Sequence, residues 1–158
     1  HLSLRRQRQM CIRDSGDSMV AMLDSTVVDG KKINDLVSDG KISKEKLSQI
    51  VDRTKKGGAE IVKYLEKGSA FYAPAASGVE MAESYLNDLK KQLPCAVYLS
   101  GEYGVQDIYA GVPVIIGKSG VEKIVELELS EQEKLNFNKS VEAVRELFNA
   151  AKKIDKSL

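Results

Sequence analysis

Few side chains in this sequence are equipped for chemistry, and their spacing limits what they can do. Histidine, the usual proton acceptor near neutral pH, occurs once, as His1. The two cysteines, Cys11 and Cys95, give neither metal-ligand spacing nor a disulfide framework. Reduced cytoplasmic thiols are the plain reading of that pair. Glu80 and Glu83, and Glu131 and Glu133, are spaced closely enough to pair. Such carboxylates on helices are far more often solvated charges than an acid and a base. Arg53 and Arg145 are the arginines of the body of the chain, and no Gly-x-Gly-x-x-Gly fingerprint accompanies them. What remains is residues 68–77, where Ser69, Ala70, Ala73, Ala75, Ala76 and Ser77 surround Pro74. Small side chains let something approach the backbone closely. Proline at the first helical position sets the direction of the chain and gives up an N–H that would be unpaired anyway. Read alone, Ser69 is a hydroxyl that satisfies a free N–H at a helix start.

The elements that must carry this segment belong to a chain of 158 residues, enough for one domain. It is 42% hydrophobic and 30% charged, an ordinary globular composition. No apolar run approaches the roughly 20 residues of a membrane span. Charge is unevenly placed. Four arginines against Asp14 give residues 1–15 a net +3, whereas 20 basic and 22 acidic side chains leave the rest at −2. A basic head could be a nucleic-acid or membrane arm, or a targeting peptide, although no apolar stretch or cleavage site follows it. The segment Met10-Cys11-Ile12-Arg13-Asp14 instead looks like a translated sequencing adapter. Residues 1–15 are therefore expected to be an artefactual or disordered leader, and residues 16–158 the domain.

Within the body, Met19 to Val28 reads as a strand and Asp29-Gly30 as a hairpin turn. Asn34 is placed to cap a short helix through Ser38, with Gly40 ending it. Ser43 caps a longer helix whose Leu47, Ile50, Val51, Thr54, Gly58, Ile61, Val62 and Leu65 form one expected buried stripe. Gly57-Gly58 lies inside it, a costly pair that implies a kink or a close backbone neighbour. Gly68 should stop this helix. The next stripe is Ala75, Val79, Ala82, Leu86 and Leu89, ending near Lys90-Lys91, whose charge suits a helix C-terminus.

From Pro94 the period becomes two. Strands are expected at Cys95–Ser100, Ile108–Ile116 and Val125–Leu129, with Gly101-Glu102-Tyr103-Gly104 and Gly117-Lys118-Ser119-Gly120 turning the chain. Pro113 inside the second strand marks an edge, an end or a bulge. Ser130 and Glu133 form a capping box. Phe137, Val141, Val144, Phe148 and Ala151, widened by Leu135 and Leu147, give the last stripe. The fold class that follows is α+β, helices packed on a mostly antiparallel sheet.

Several blocks, taken together and in order, resemble the NAD-dependent malate dehydrogenases of the lactate-dehydrogenase-like type, over residues 16 to about 154. They are Gly16-Asp17-Ser18-Met19-Val20, Lys56-Gly57-Gly58-Ala59-Glu60-Ile61-Val62, residues 68–77, Met81-Ala82-Glu83-Ser84-Tyr85-Leu86, Gly101-Glu102-Tyr103-Gly104-Val105 and Gly111-Val112-Pro113-Val114. The resemblance implies the C-terminal substrate domain of an oligomeric, cytoplasmic tricarboxylic acid cycle enzyme that interconverts malate and oxaloacetate with NAD. Family chemistry needs a histidine to take the hydroxyl proton, an aspartate to hold it, arginines to clamp carboxylates and a Gly-rich turn for the pyrophosphate. The histidine would stand where this chain has Ser15, and Arg53 and Arg145 match no clamp, so no catalytic residue is expected here. By the resemblance, Gly16 and Asp17 border the histidine position, Ser69 and Ala70 face substrate, and Pro74 lies near the nicotinamide ring. No metal is implied. Such a half alone should be inactive, should expose apolar surface, and should use residues 44–66 in subunit contacts. The alternatives are the same half of a lactate or other 2-hydroxy-acid dehydrogenase, or a non-catalytic assembly module. A nucleic-acid binder is the weakest, since the basic excess lies in the head.

Overall fold

The computed structural model describes residues 19–66 and 71–155. Two short strands, β1 (Val27–Val28) and β2 (Lys31–Lys32), open the described chain as an antiparallel hairpin. Its turn is Asp29-Gly30, both at positive φ (50° and 79°), as a two-residue hairpin loop requires. The strand expected over residues 19–28 is thus reduced to its last two residues. Upstream of it the backbone turns, with Thr26 N–H donating to the Leu23 carbonyl.

Helix α1 (Ile33–Ser38) follows. Asn34 does not cap it. The amide donates to Asp24 Oδ1 at 2.6 Å, and Lys32 occupies the capping position without a side-chain bond. Gly40, at φ 69°, does close the helix, its N–H reaching the Val37 carbonyl. Ser43 caps α2 (Lys44–Lys55) by accepting from Lys46 N–H. At Lys56 the chain breaks, and α3 (Gly57–Leu65) begins at the glycine pair. The kink expected there is real, but the buried stripe is not: neither α2 nor α3 contains a fully buried residue. Glu66, at φ 59°, ends α3. Gly68, expected to do so, lies outside the described residues.

Helix α4 (Tyr72–Leu86) corrects the sequence reading in two ways. Pro74 is its third residue rather than its first, still within the turn whose N–H groups have no helical partner. The stripe Ala75, Val79, Ala82, Leu86 and Leu89 faces solvent. The sheet side is instead made of Ala73, Ser77 and Ser84, small residues that bring the helix close, with Met81 packed against the core. Lys90 and Lys91 lie beyond the helix, and Lys91 begins β3.

Strands β3 (Lys91–Ser100), β4 (Gln106–Gly117) and β5 (Gly120–Ile124) form an antiparallel sheet in that order. The β3–β4 register places Leu93 opposite Val114, Cys95 opposite Val112 and Leu99 opposite Ile108. All six are buried, so one face of the sheet is the core. The other face carries Tyr98 against Tyr109, edge to face at 5.5 Å. Pro94 and Pro113 oppose each other. Pro113 sits on the central strand, yet its carbonyl accepts from Val125 N–H at 2.8 Å and so points toward β5. Its nitrogen points the same way, just where the β4–β5 ladder ends.

The third expected strand is displaced. The ladder strand is β5, and residues 125–130 belong to no strand. Their alternating exposure is as expected, but a side chain holds them. Tyr103 Oη donates to the Val125 carbonyl at 2.7 Å and accepts from Leu127 N–H at 3.0 Å. Helix α5 (Glu131–Ile154) starts on the expected capping box and packs Phe137 and Val141 on the sheet. Leu135 and Leu147 are exposed, and so are Val144 and Phe148. The described residues form five α-helices and two antiparallel sheets.

Candidate functional site

Of the residues singled out as a pocket wall, Gly16, Asp17, Ser69 and Ala70 lie outside the described residues, as does Ser15. Pro74 is described. It stands exposed in the first turn of α4, between Ala73, Ala75 and Ala76, so no long side chain shields it. Phe71 and Tyr72 precede it with ring centroids 4.6 Å apart, both largely exposed. The solvent face of α4 continues through Val79, 68% exposed, to Leu86, 76% exposed. Such a continuous apolar face is unusual on a surface and marks a site of contact. Chemically it offers an apolar contact surface bordered by Glu83.

The side chains that could act on a substrate are committed elsewhere. Arg53 bonds Glu60 through two nitrogens. Arg145 donates to the Gln106 carbonyl at 3.3 Å and lies 3.8 Å from Glu142. Lys91 Nζ lies 2.8 Å from Glu83 and 3.8 Å from Glu80, so that carboxylate pair is an ion-pair partner, not an acid and a base. Glu133, expected to be a solvated charge, is buried. It accepts from Ser130 N–H and hydroxyl, and from Asp24 N–H. Glu131 is exposed as expected. Cys95 is buried, and desolvation pushes its thiol up to about 11, which leaves it protonated and inert. Among the described residues no cluster of histidine, cysteine and carboxylates could hold a metal ion. Among them, too, no helix is long and apolar enough to cross a membrane.

Sequence reasoning missed Tyr103. It lies at φ 55° in the tight turn Glu102–Gly104, where few non-glycine residues are found. Its N–H donates to Glu126 at 2.8 Å, and its ring lies 5.2 Å from Phe137. Burial raises its phenol above the ordinary value, the Leu127 N–H opposes that, and the Glu126 charge adds to it. A cleft of about 360 Å³ opens beside it, lined by Glu126, Leu127, Lys134 and Asn138 among others. Pro74, the described residue of the expected pocket, does not line this cleft. The signal available in sequence was the glycine on each side of Glu102-Tyr103, read as a turn and as one block of the family resemblance, with no role given to the tyrosine.

The sequence profile of the lactate/malate dehydrogenase α/β C-terminal domain matches residues 5–155. The chain belongs to the lactate/malate dehydrogenase family. It is 62% identical over 149 residues to a malate dehydrogenase of Pelagibacter ubique, covering 94% of this chain and 47% of that protein. Identity to a malate dehydrogenase of Caulobacter vibrioides is 55% over 143 residues, covering 90% and 45%. Among solved structures, Cryptosporidium parvum malate dehydrogenase superposes with a TM-score of 0.84 at 39% identity, over 95% of this chain and 53% of that one. A lactate dehydrogenase from Eimeria maxima, solved with NADH and oxamate, gives 0.86 at 34%, over 97% and 53%. The chain therefore spans about half the length of these family members. The α+β arrangement expected from the sequence is the family's C-terminal fold.

Proposed function

We propose that residues 16–158 are the substrate-side half of an NAD-dependent malate dehydrogenase that interconverts malate and oxaloacetate. The observation that carries this reading is the 62% identity to the Pelagibacter ubique enzyme, against 34% to the Eimeria maxima lactate dehydrogenase. A histidine at the position of Ser15 would take the hydroxyl proton, with Gly16 and Asp17 beside it. Ser69 and Ala70 would face the substrate. Pro74 would lie against the nicotinamide ring, and its exposure between alanines suits a flat aromatic face. NAD, when bound, accepts or supplies the hydride. The charged clamps for the substrate carboxylates come from the other half, because Arg53 and Arg145 are engaged with their own neighbours.

The same reading makes this half inactive by itself. It makes the full-length protein a cytoplasmic dimer or tetramer of the tricarboxylic acid cycle, with residues 44–66 in the subunit contact. The absence of any fully buried residue in α2 and α3 supports a further surface covering them. Residues 1–15 are read as foreign on their charge and wording. The family match begins at residue 5, so the natural coding frame upstream of Gly16 decides that boundary.

The test is to express the full-length protein from that frame and follow NADH oxidation. Oxaloacetate should be preferred over pyruvate by about 10³-fold or more, because a site built for a second carboxylate rejects a substrate lacking it. Equal or faster turnover of pyruvate would assign the lactate branch instead, which the TM-score of 0.86 to the Eimeria maxima enzyme keeps in view. Robust turnover by the 158-residue chain alone would contradict the division of labour between halves.

A further inference from the structure

The wall proposed for the nicotinamide ring is carried by α4, and something must hold that helix in place. Its buried side chains are two serines, Ser77 and Ser84. They use their hydroxyls differently. Ser77 Oγ donates to the Ala73 carbonyl at 3.1 Å, a bond inside the helix that fixes nothing outside it. Ser84 is completely buried, and its Oγ leaves the helix, donating to the Ile116 carbonyl at 2.7 Å. The same oxygen accepts from Lys91 N–H at 3.2 Å. Lys91 and Ile116 are cross-strand partners at the end of the β3–β4 ladder. One hydroxyl therefore bridges the final rung and ties α4 to both strands at once. The Leu89 N–H, bonded to the Ser84 carbonyl, and the Lys91–Glu83 ion pair tighten the same corner.

We propose that Ser84 is a positioning residue, whose hydroxyl sets where α4, and with it Pro74, stands relative to the sheet. The inference rests on the nicotinamide-side role given to Pro74 above. Ten residues of helix separate the two positions, roughly 15 Å. A helix is stiff over that length, so a tilt at Ser84 is delivered to Pro74 largely undiminished. Hydride transfer is sensitive to such errors, since a misplacement of about 1 Å can cost about 100-fold. Without the hydroxyl, the helix would still be held by Met81 and Ala73, but with its height on the sheet no longer fixed.

Two substitutions on the same buried face separate this role from plain stability. In the full-length enzyme, Ser84→Ala and Ser77→Ala each remove one buried hydroxyl, and only the first unties the helix from the sheet. Two readouts apply, at a temperature where both variants are fully folded. The first is kcat for oxaloacetate reduction, expected to fall about tenfold in Ser84→Ala with the KM for NADH changed less than twofold. In Ser77→Ala both constants should stay within about twofold. The second is hydrogen exchange of the Ala75 and Ala76 amides, eight or nine residues from Ser84 but adjoining Ser77, expected to accelerate in Ser84→Ala alone. Exchange needs no turnover, so it decides the role of Ser84 even if the full-length enzyme prefers another 2-hydroxy acid, a result that would sink only the malate reading. Equal effects of the two substitutions, or unchanged exchange at Ala75 and Ala76, would overturn the proposal.

Discussion

Arg53 and Glu60 join the two helices on either side of the break at Lys56. Arg53 Nε donates to Oε2 at 3.0 Å and Nη2 to Oε1 at 2.7 Å, a two-pronged bond seven residues apart in sequence. Residues seven apart in a continuous helix lie about 10 Å apart along its axis and share a face, a span that these two long side chains can cross. The bond bridges the break and holds α3 against α2. It also keeps the Arg53 guanidinium charged more firmly, through the Glu60 hydrogen bonds first and its charge second.

Glu60→Ala should accordingly loosen the junction without unfolding the chain. Arg53 is 71% exposed, and salt bridges at such sites contribute little and are screened by salt. The expected signature is faster amide exchange in the first turn of α3 at low ionic strength, with the difference from wild type gone by about 1 M salt. A difference that persists at high salt would mean that Glu60 acts through shape rather than charge.

Asp24 supplies a pH dependence with a definite sign. Hydrogen bonds from Ser130 and then Asn34 hold its carboxyl below the usual 3.8, and desolvation opposes them. A group whose folded value is depressed stabilises the fold fully above its unfolded value and loses that contribution as pH falls through the folded one. The acid limb of the stability curve, below about pH 4, should therefore be less steep in Asp24→Asn. Thermal midpoints at about pH 7 and pH 3 measure it. The gap between wild type and variant should be larger at the higher pH, and a gap independent of pH would rule out the carboxylate as its source.

Tyr103→Phe is the third prediction. It keeps the ring against Phe137 and deletes the oxygen that serves both Val125 and Leu127. Two part-buried backbone groups lose their partner, at a cost of about 1–3 kcal/mol. The midpoint of urea unfolding should fall, and the Leu127 amide should exchange faster than it does in the wild type. An unchanged midpoint would show that water replaces the hydroxyl without loss.

The parts of the fold that sequence reasoning recovered are those determined by neighbours in the chain. Asp29-Gly30, the Ser43 cap and the Ser130–Glu133 capping box each depend on three or four consecutive residues, and each stands as expected. The errors fall where distant residues decide. Ala75, Val79 and Leu86 do share a face, but α4 turns it outward because Ser77 and Ser84 allow a closer approach to the sheet. Serines read as surface residues, and nothing local tells that the Ser84 hydroxyl will meet a strand 32 positions later. Residues 125–129 alternate like a strand, yet Tyr103 takes the place of a neighbouring strand. Glu133 looked solvated because its partner Asp24 lies 109 positions away. Of the proposed site, Pro74 lies among the described residues, and the rest of that wall was legible solely through likeness to a family.

The opposed pair Pro94 and Pro113 has a bearing on solubility. Among the described residues β3 is an outer strand of its sheet, ten residues long, with an open row of backbone groups. Such a rim invites another chain to zip onto it and seed fibres. Because Pro113 directs its nitrogen toward β5, its partner Pro94 directs its own toward that open rim, where there is no hydrogen to give. A foreign strand would meet a missing bond and a projecting ring near the middle of its path, so the rim is protected against runaway stacking by the one residue type that cannot donate from its backbone.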